Sequence, residues 1–377
     1  MPGVGAGGRF SNTQAVHIVT GQELEWLHPS ADRTADPHSF LCCVSTSRTA
    51  LTDRHGRLHR SLRISIVDKC DLRCTYCMPE DQRFLDRSAL MTRNEIATIA
   101  RLFVERHGIT RIRLTGGEPL VRPDVVDIVR DLAAMPVALG LTTNAMNLER
   151  HLDGLIEAGL ERINVSLDTF DAERFRRIAR RDGLRTVWAN IQKALARGMR
   201  MKLNMVVMRG VNDDELLRAV DLTREHPIHV RFIEFMPFAG NRWGRERVFT
   251  YAEMLTRIAE VHPVVKLQDD PNSTAKAYRV NGWPGTFAVI STVTEPFCGT
   301  CDRLRVTAEG KMRNCLFART ETDLLTPLRQ GEDISPLIAA NVLAKHAMLG
   351  GLPPFEPERQ EEVLQDLSAR PMVSIGG

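Results

Sequence analysis

The sequence predicts an α/β fold: an incomplete (β/α)6 barrel of the TIM type, with a smaller C-terminal α+β subdomain. Three observations predict it. Six strand-like runs alternate with helix-like runs between about residue 62 and residue 235, and strands alternating with helices read as parallel βαβ units. Glycine or polar residues crowd the ends of those strand runs, where barrels of this kind place their ligands. After about residue 249 the alternation gives way to one helix-like run and several short strands.

Residues 1–50 are rich in glycine, with Pro29 and Pro37 and scattered Ser/Thr, and lack hydrophobic periodicity. They read as a weakly ordered N-terminal extension. Adjacent Cys42 and Cys43 lie inside it and are assigned no role. The barrel is expected over 51–248, with strands at 62–67, 111–115, 138–142, 162–167, 202–207 and 230–235. Helices are expected at 92–106, 125–134, 148–158, 172–179, 186–197 and 214–224. The first of these opens on a capping box, Thr92 with Glu95, carries Ile96, Ile99, Ala100 and Phe103 on one face, and stops at Gly108. The strand ends read Thr115-Gly-Gly-Glu-Pro119, Thr142-Thr-Asn144, Ser166-Leu-Asp168 and Glu234-Phe-Met236-Pro. The region 249–377 is expected to hold a helix at 251–261 and strands at 278–280 and 287–290.

Composition narrows the function. The 377-residue chain is 43% hydrophobic and 26% charged, ordinary for a globular protein. A net charge of +3 gives no support to a nucleic-acid role. No apolar run is long enough to span a membrane, and the start of the chain does not resemble a secretory signal. Six of the eight cysteines fall in two tight groups, which points to metal binding in a reducing, cytoplasmic setting rather than to disulfides.

The first group is Cys70-Asp-Leu-Arg-Cys74-Thr-Tyr-Cys77 and the second is Cys298, Cys301 and Cys315. Thiolates are soft ligands that suit iron–sulfur clusters, zinc or copper(I). Three thiolates are one short of an ordinary four-iron cluster or structural zinc site, so each group implies a metal position left open for chemistry. Zinc knuckles would need a fourth ligand that neither stretch supplies.

The C-x3-C-x-Tyr-Cys spacing resembles the signature of radical S-adenosylmethionine (SAM) enzymes, and Gly116-Gly-Glu-Pro119 resembles their glycine-rich turn after the second strand. Two three-cysteine sets in one chain, C-x3-C-x2-C and C-x2-C-x13-C, resemble more narrowly the GTP 3′,8-cyclases of molybdenum cofactor biosynthesis, the MoaA family. The resemblance runs from about Gly56 to Gly377. It includes Leu62-Arg-Ile-Ser, Cys77-Met-Pro, Arg113-Leu-Thr-Gly-Gly-Glu-Pro, Gly140-Leu-Thr-Thr-Asn, Arg162-Ile-Asn-Val-Ser-Leu-Asp, Arg231-Phe-Ile-Glu-Phe-Met, Cys301-Asp-Arg-Leu-Arg and the terminal Gly376-Gly377.

The resemblance implies two 4Fe–4S clusters and SAM as cofactors. Cys70, Cys74 and Cys77 would hold the SAM-binding cluster, and Cys298, Cys301 and Cys315, in the C-terminal subdomain, the substrate-binding one. Tyr76, Gly117, Ser166 and Met236 match SAM contacts. Arg63, Arg113, Thr142, Lys202, Arg303, Leu304 and Arg305 match GTP contacts, and Arg63, Gly376 and Gly377 match catalytic positions. The implied reaction uses a 5′-deoxyadenosyl radical to convert GTP to 3′,8-cyclo-7,8-dihydro-GTP, with an external electron donor. A cyclic pyranopterin monophosphate synthase is implied downstream, and a homodimer is allowed. Arg303 and Arg305 alternate on one strand-like run and so share a face. By contrast Arg174, Arg176, Arg177, Arg180 and Arg181, with Glu173 and Asp182 among them, read as a solvated helix face. His226, His229, His262 and His346 share no metal-ligand spacing and are assigned no role. Two rivals stand: another radical SAM enzyme with an auxiliary cluster, of the peptide-maturase type, and a non-catalytic metal-binding module.

Overall fold

The computed structural model describes residues 48–367 and 370–376. Most of the N-terminal extension, with Cys42 and Cys43, and the terminal Gly377 lie outside the described residues. Six parallel strands run side by side in chain order: β1 (Ser61–Ser65), β2 (Arg111–Thr115), β3 (Ala138–Thr143), β4 (Arg162–Ser166), β5 (Arg200–Val207) and β6 (His229–Glu234). Helices α1 (Arg93–Glu105), α2 (Val125–Ala133), α3 (Leu148–Glu157), α4 (Ala172–Ala179), α5 (Leu184–Ala196) and α6 (Leu216–Glu225) fill the crossovers. The expected capping box is present on α1: Thr92 N–H donates to Glu95 Oε2 at 2.7 Å, and Glu95 N–H to Thr92 Oγ1 at 3.3 Å.

Residues beyond 248 continue this sheet at both ends. After α7 (Tyr251–Ala259) come β7 (Val264–Lys266), β8 (Lys276–Val280) and β9 (Thr286–Ile290), with β9 parallel to β6. Then β10 (Arg303–Val306), β11 (Lys311–Arg313) and β12 (Thr322–Asp323) extend the other edge, with β10 parallel to β1. The order is β12-β11-β10-β1-β2-β3-β4-β5-β6-β9-β8-β7, so the sheet ends on two edges and does not close. The short strands β7, β11 and β12, and the pairing of β10 and β9 with the barrel strands, carry no local pattern and were not read from the sequence.

Side-chain alternation divides the barrel strands into two faces. Leu62, Ile64, Ile112, Leu114, Leu141, Ile163, Val165, Leu203, Met205, Val230 and Phe232 are buried. They join Ile96, Ile99 and Phe103 of α1, Leu152 and Leu155 of α3, and Val187 and Ile191 of α5 in one apolar core. The intervening residues are mostly polar: Arg63, Arg113, Thr142, Asn164, Lys202, Asn204 and Arg231. A parallel sheet covered on both faces ordinarily reads as a continuous apolar run. This one does not, because its inner face surrounds a cavity.

The turn after β2 explains its glycines locally. A Cβ on Gly116 would lie 2.4 Å from Val67 O, and one on Gly117 would lie 2.3 Å from Asp68 O. Gly117 N–H donates to Val67 O (2.7 Å) and Glu118 N–H to Lys69 O (2.9 Å), so this turn lies directly against the backbone that leads into Cys70. Because the obstacle is backbone, it has no rotamer to move. Gly116→Ala should destabilise the iron-free chain by about 1–3 kcal/mol, measured by denaturant unfolding. An unchanged midpoint would show that the close approach is not tight.

Candidate active site

The first cysteine set follows β1. Cys70 is buried, and Cys74 and Cys77 are half-buried. The loop is held from several sides. Arg73 N–H donates to Ala179 O and Thr75 N–H to Ile178 O, both at 2.9 Å, at the end of α4. Asn144 Nδ2 and Asn147 Nδ2 each donate to the Asp71 carboxylate at 2.7 Å. Glu118, buried beneath the loop, accepts from Thr143 Oγ1 (2.7 Å), Asn144 N (2.7 Å) and Leu120 N (2.9 Å). Burial pushes its carboxyl up to about 7 against those hydrogen bonds. Burial also pushes all three thiols up, and the neighbouring carboxyls and thiols, Glu118 and Cys74 for Cys70 and Asp168 for Cys74, push the same way. Such thiols ionise only when a metal supplies the opposing charge.

The second set differs. Burial raises the Cys298 thiol, partly offset by Leu349 N–H, which donates to its sulfur at 3.4 Å. Burial acts on Cys301 in the same direction, but Arg303 and Lys345 outweigh it and hold that thiol at about 6. Buried Lys345 donates to Cys301 O (3.1 Å) and lies 3.9 Å from Cys301 Sγ. Among the described residues no three His, Cys, Asp or Glu side chains close around a single ion. A four-iron cluster places each thiolate on its own iron and does not require them to. Two sets of three soft donors, each one short of four, fit such clusters.

Against the second set, and bounded by Tyr76 of the first loop, lies a cavity with about 1210 Å³ of empty space, part of it open to solvent. Of the expected SAM contacts, Tyr76, Ser166 and Met236 line it. Of the expected GTP contacts, Arg63, Thr142, Arg303 and Arg305 do. Cys298, Cys301 and Cys315 form part of its wall. Gly117 is held against the cysteine loop and Cys70, Cys74 and Cys77 lie outside the lining. Lys202 lines a side cavity, which shares Arg231 and Thr274 with the main one. Leu304 is fully buried in the apolar core, because it alternates with Arg303 and Arg305, so its side chain is turned away from the cavity.

Strand register assembles the positive charge. Arg305, Arg63 and Arg113 are neighbours across β10, β1 and β2. Gly140 follows on β3, where a Cβ would lie 3.0 Å from Arg113 Nη1. Lys202 neighbours Asn164, and Arg231 neighbours Asn204, whose Oδ1 accepts from Arg231 Nε at 2.9 Å. Among the described residues no carboxylate is ion-paired to these cations, although Asp168 lines the main cavity and Asp269 and Asp270 line the side cavity with Lys202. Burial first, then mutual repulsion, lowers each: Arg113 to about 10, Arg231 and Arg305 to about 9, Lys202 to about 8, and Arg63 well below its usual range. Arg113 Nη1 and Arg303 Nε are buried without a hydrogen-bond partner. The lumen is therefore built for a polyanion.

The last described residues enter the same site. Arg370 pairs with Glu309 and Glu321, and Glu321 pairs with fully buried Arg313. Met372 lines the cavity, and Val373 N–H faces the Cys77 sulfur. Arg305 Nη1 donates to Gly376 O at 2.5 Å. Gly376 has φ +69, and a Cβ there would crowd Ser65 and Thr115 at 3.1 Å. The cavity residues not singled out from the sequence include Asn164, Asn204, Arg231 and Asp168, whose carboxylate accepts from Tyr76 O–H at 2.8 Å and Val206 N–H at 2.9 Å. Their signal was available, as polar residues at every second position of strands that ought to be apolar.

Residues 64–223 match the family model described as Radical SAM superfamily, and residues 228–348 the one described as Molybdenum Cofactor Synthesis C. "Molybdenum cofactor biosynthesis protein 1" of Mus musculus is 46% identical over 334 residues, 86% of this chain and 51% of the relative. The chain thus spans about half the length of that relative. "GTP 3′,8-cyclase, mitochondrial" of Arabidopsis thaliana is 41% identical, over 87% of this chain and 83% of its own. "GTP 3′,8-cyclase" of Rhodopirellula baltica is 45% identical, over 78% and 84%. Among solved structures, Streptococcus suis SuiB bound to S-adenosylmethionine shares the fold, with a TM-score of 0.59 at 16% identity over 78% of this chain and 70% of that one. The chain belongs to the radical SAM family of molybdenum cofactor biosynthesis proteins that includes the GTP 3′,8-cyclases.

Proposed function

We propose that the chain is a GTP 3′,8-cyclase that carries out the first step of molybdenum cofactor biosynthesis, with SAM and two 4Fe–4S clusters. The observation that carries this is the lumen of Arg63, Arg113, Arg231, Arg303 and Arg305, with Lys202 exposed at its side cavity: Arg305 is buried, the other four arginines are half-buried, and none is ion-paired to a carboxylate among the described residues. GTP brings about four negative charges near neutral pH. Held by Cys70, Cys74, Cys77 and the SAM-seating residues, the first cluster and SAM would supply radical chemistry for abstraction of the ribose 3′ hydrogen of GTP.

The chain's own groups divide the work. Cys70, Cys74 and Cys77 hold the first cluster, and Tyr76, Gly117, Ser166 and Met236 seat SAM. Asp168 fixes the Tyr76 ring through its hydroxyl. Arg63 and Arg113, on β1 and β2, and Lys202 and Arg231, on β5 and β6, take the triphosphate. Arg303 and Arg305, with Thr142, hold the nucleoside end against the second cluster on Cys298, Cys301 and Cys315. Leu304 contributes through its backbone. Arg305 donates to the Gly376 carbonyl, which supports Gly376 beside the reacting ribose, and the catalytic role of Gly377 is carried over from the family motif alone. Residues 51–248 form the SAM-binding part and 249–377 the cluster-and-tail part. An external electron donor, a cyclic pyranopterin monophosphate synthase downstream and self-association into a homodimer extend the same reading. No helix among the described residues is long and apolar enough to cross a membrane. A cytoplasmic site is proposed, with fractionation to decide it against a mitochondrial one. A peptide substrate is disfavoured, because an ordinary peptide offers no concentrated negative charge to match this group of cations.

Cys301→Ser should lower reconstituted iron from about eight to about four atoms per chain and abolish GTP conversion, while SAM cleavage with dithionite persists. Cys74→Ser should abolish SAM cleavage. Full GTP conversion by either variant would sink the two-cluster reading. Lys202 titrates near 8 when the lumen is empty, so its charge is present below that pH and lost above it. Bound phosphate restores the proton. GTP affinity should therefore fall as pH rises through about 8 and 9, by up to about tenfold per unit. Lys202→Arg should flatten this dependence, which equilibrium binding would measure, and an unchanged slope in that variant would remove Lys202 from the phosphate site.

A further inference from the structure

A second concentration of positive charge lies outside the lumen, against the outer wall of the first cysteine loop. Thr75 and Tyr76 form one side of a cleft with about 570 Å³ of empty space, and Arg180, Arg242 and Arg247 form much of the rest. No carboxylate lines it. Arg180 Nη1 is buried without a hydrogen-bond partner. Arg247 packs its guanidinium over Phe235 at 5.1 Å and donates to Arg242 O at 3.0 Å. Arg176, Arg177 and Arg181 are exposed close by in the chain. The acids near these residues in sequence, Asp182 at 4.0 Å from Arg176 and exposed Glu246, stay out of the cleft. Thus Arg180 does not belong to a simple solvated helix face.

Two features tie the cleft to the loop. Arg180 and Arg242 both have left-handed backbone, φ +52 and +50, and they are two of the four non-glycine residues so placed among the described residues. Such conformations are strained for residues other than glycine, and strain of this kind gathers at functional sites. Each arginine also sits one residue from a hydrogen bond to the cysteine loop. Ala179 O accepts from Arg73 N–H at 2.9 Å, and Asn241 Nδ2 donates to Tyr76 O at 3.2 Å. A partner held by these guanidiniums would rest against the loop that carries Cys74 and Cys77.

We propose that this cleft docks a carboxylate-rich one-electron carrier protein, a reduced flavin or iron–sulfur carrier, beside the first cysteine set. The inference rests on the reading in which that set holds a reducible cluster. Each reduction moves one electron from the carrier to the chain, and the carrier leaves oxidised by one. Carboxylates on the carrier pair with the three guanidiniums, which accept planar, bidentate partners, and the lack of competing acids in the cleft favours an acidic face.

The test uses a flavodoxin as probe, with full-length chain and Arg180→Gln, Arg242→Gln and Arg247→Gln, singly and together. Flavodoxin binding to the iron-free chain should weaken at least about tenfold in the triple variant, or 1.4 kcal/mol. Raising salt from about 0.05 to about 0.5 M should weaken wild-type binding similarly. With reconstituted protein, SAM cleavage driven by reduced flavodoxin should fall in parallel, while cleavage driven by dithionite stays at the wild-type rate. Unchanged flavodoxin binding in the triple variant overturns the proposal. So does inorganic phosphate bound in the cleft with flavodoxin indifferent to it, or a loss of dithionite-driven cleavage, which would make the arginines supports of the loop itself. A wild-type chain that binds flavodoxin but cleaves no SAM with dithionite contradicts the cluster reading and not the docking.

Discussion

Positive charge buried without a counter-charge is the constraint that the rest of this structure answers to. Isolated buried charges are costly, and here Arg63, Arg113, Arg231 and Arg305 face one another across four strands. The fold bears this because the other face of every strand is apolar and fully covered. Leu62, Ile64, Ile112, Leu114, Val230 and Phe232 are each at most 2% exposed, so the sheet is secured from outside while its inner face is left for a ligand. The cost carried by the empty lumen is what a polyanion relieves on binding. Stability surrendered at the inner face becomes affinity.

The same logic orders the two cysteine sets. The first is surrounded by Glu118, Asp71 and Asp168, and the Arg73 guanidinium is turned to the Cys70 and Leu72 carbonyls, so burial and the acids keep its thiols protonated until a metal arrives. The second sits beside Arg303 and Lys345, which already favour a thiolate on Cys301. One loop is shaped by backbone: the Gly116-Gly117 turn, the end of α4 and Asn241 all hold it by hydrogen bonds. The other is shaped by charge from the strand that follows it. The final residues then join the two, with Val373 at Cys77 and Gly376 on Arg305.

Much of this was legible in the sequence, for identifiable reasons. Local signals gave β1–β6, the α1 capping box and the polar strand ends, since period, caps and glycines act within a few residues. Cysteine spacing marked both three-cysteine sets, because the cysteines of each lie close together in the chain. What escaped was long-range. Nothing near Arg303 states that β10 pairs with β1, although that pairing puts Arg305 beside Arg63. Nothing near Gly376 states that the tail folds back to β1 and β2, and nothing near Arg180 that it shares a cleft with Arg242. Arg231 and Asn204 could have been found from alternation alone. Gly117 was expected at the ligand, while the close approach that requires glycine is to Asp68 and Lys69 of the cysteine loop.

The most direct test of the account is anaerobic reconstitution with iron and sulfide, followed by incubation with SAM, dithionite and GTP and mass spectrometry of the products. The account predicts 5′-deoxyadenosine together with a cyclised GTP-derived product, and loss of that product when Arg63 or Arg305 is replaced by methionine. Cleavage of SAM at the same rate with or without GTP, and no GTP-derived product, would contradict the claim that the cationic lumen is a GTP site.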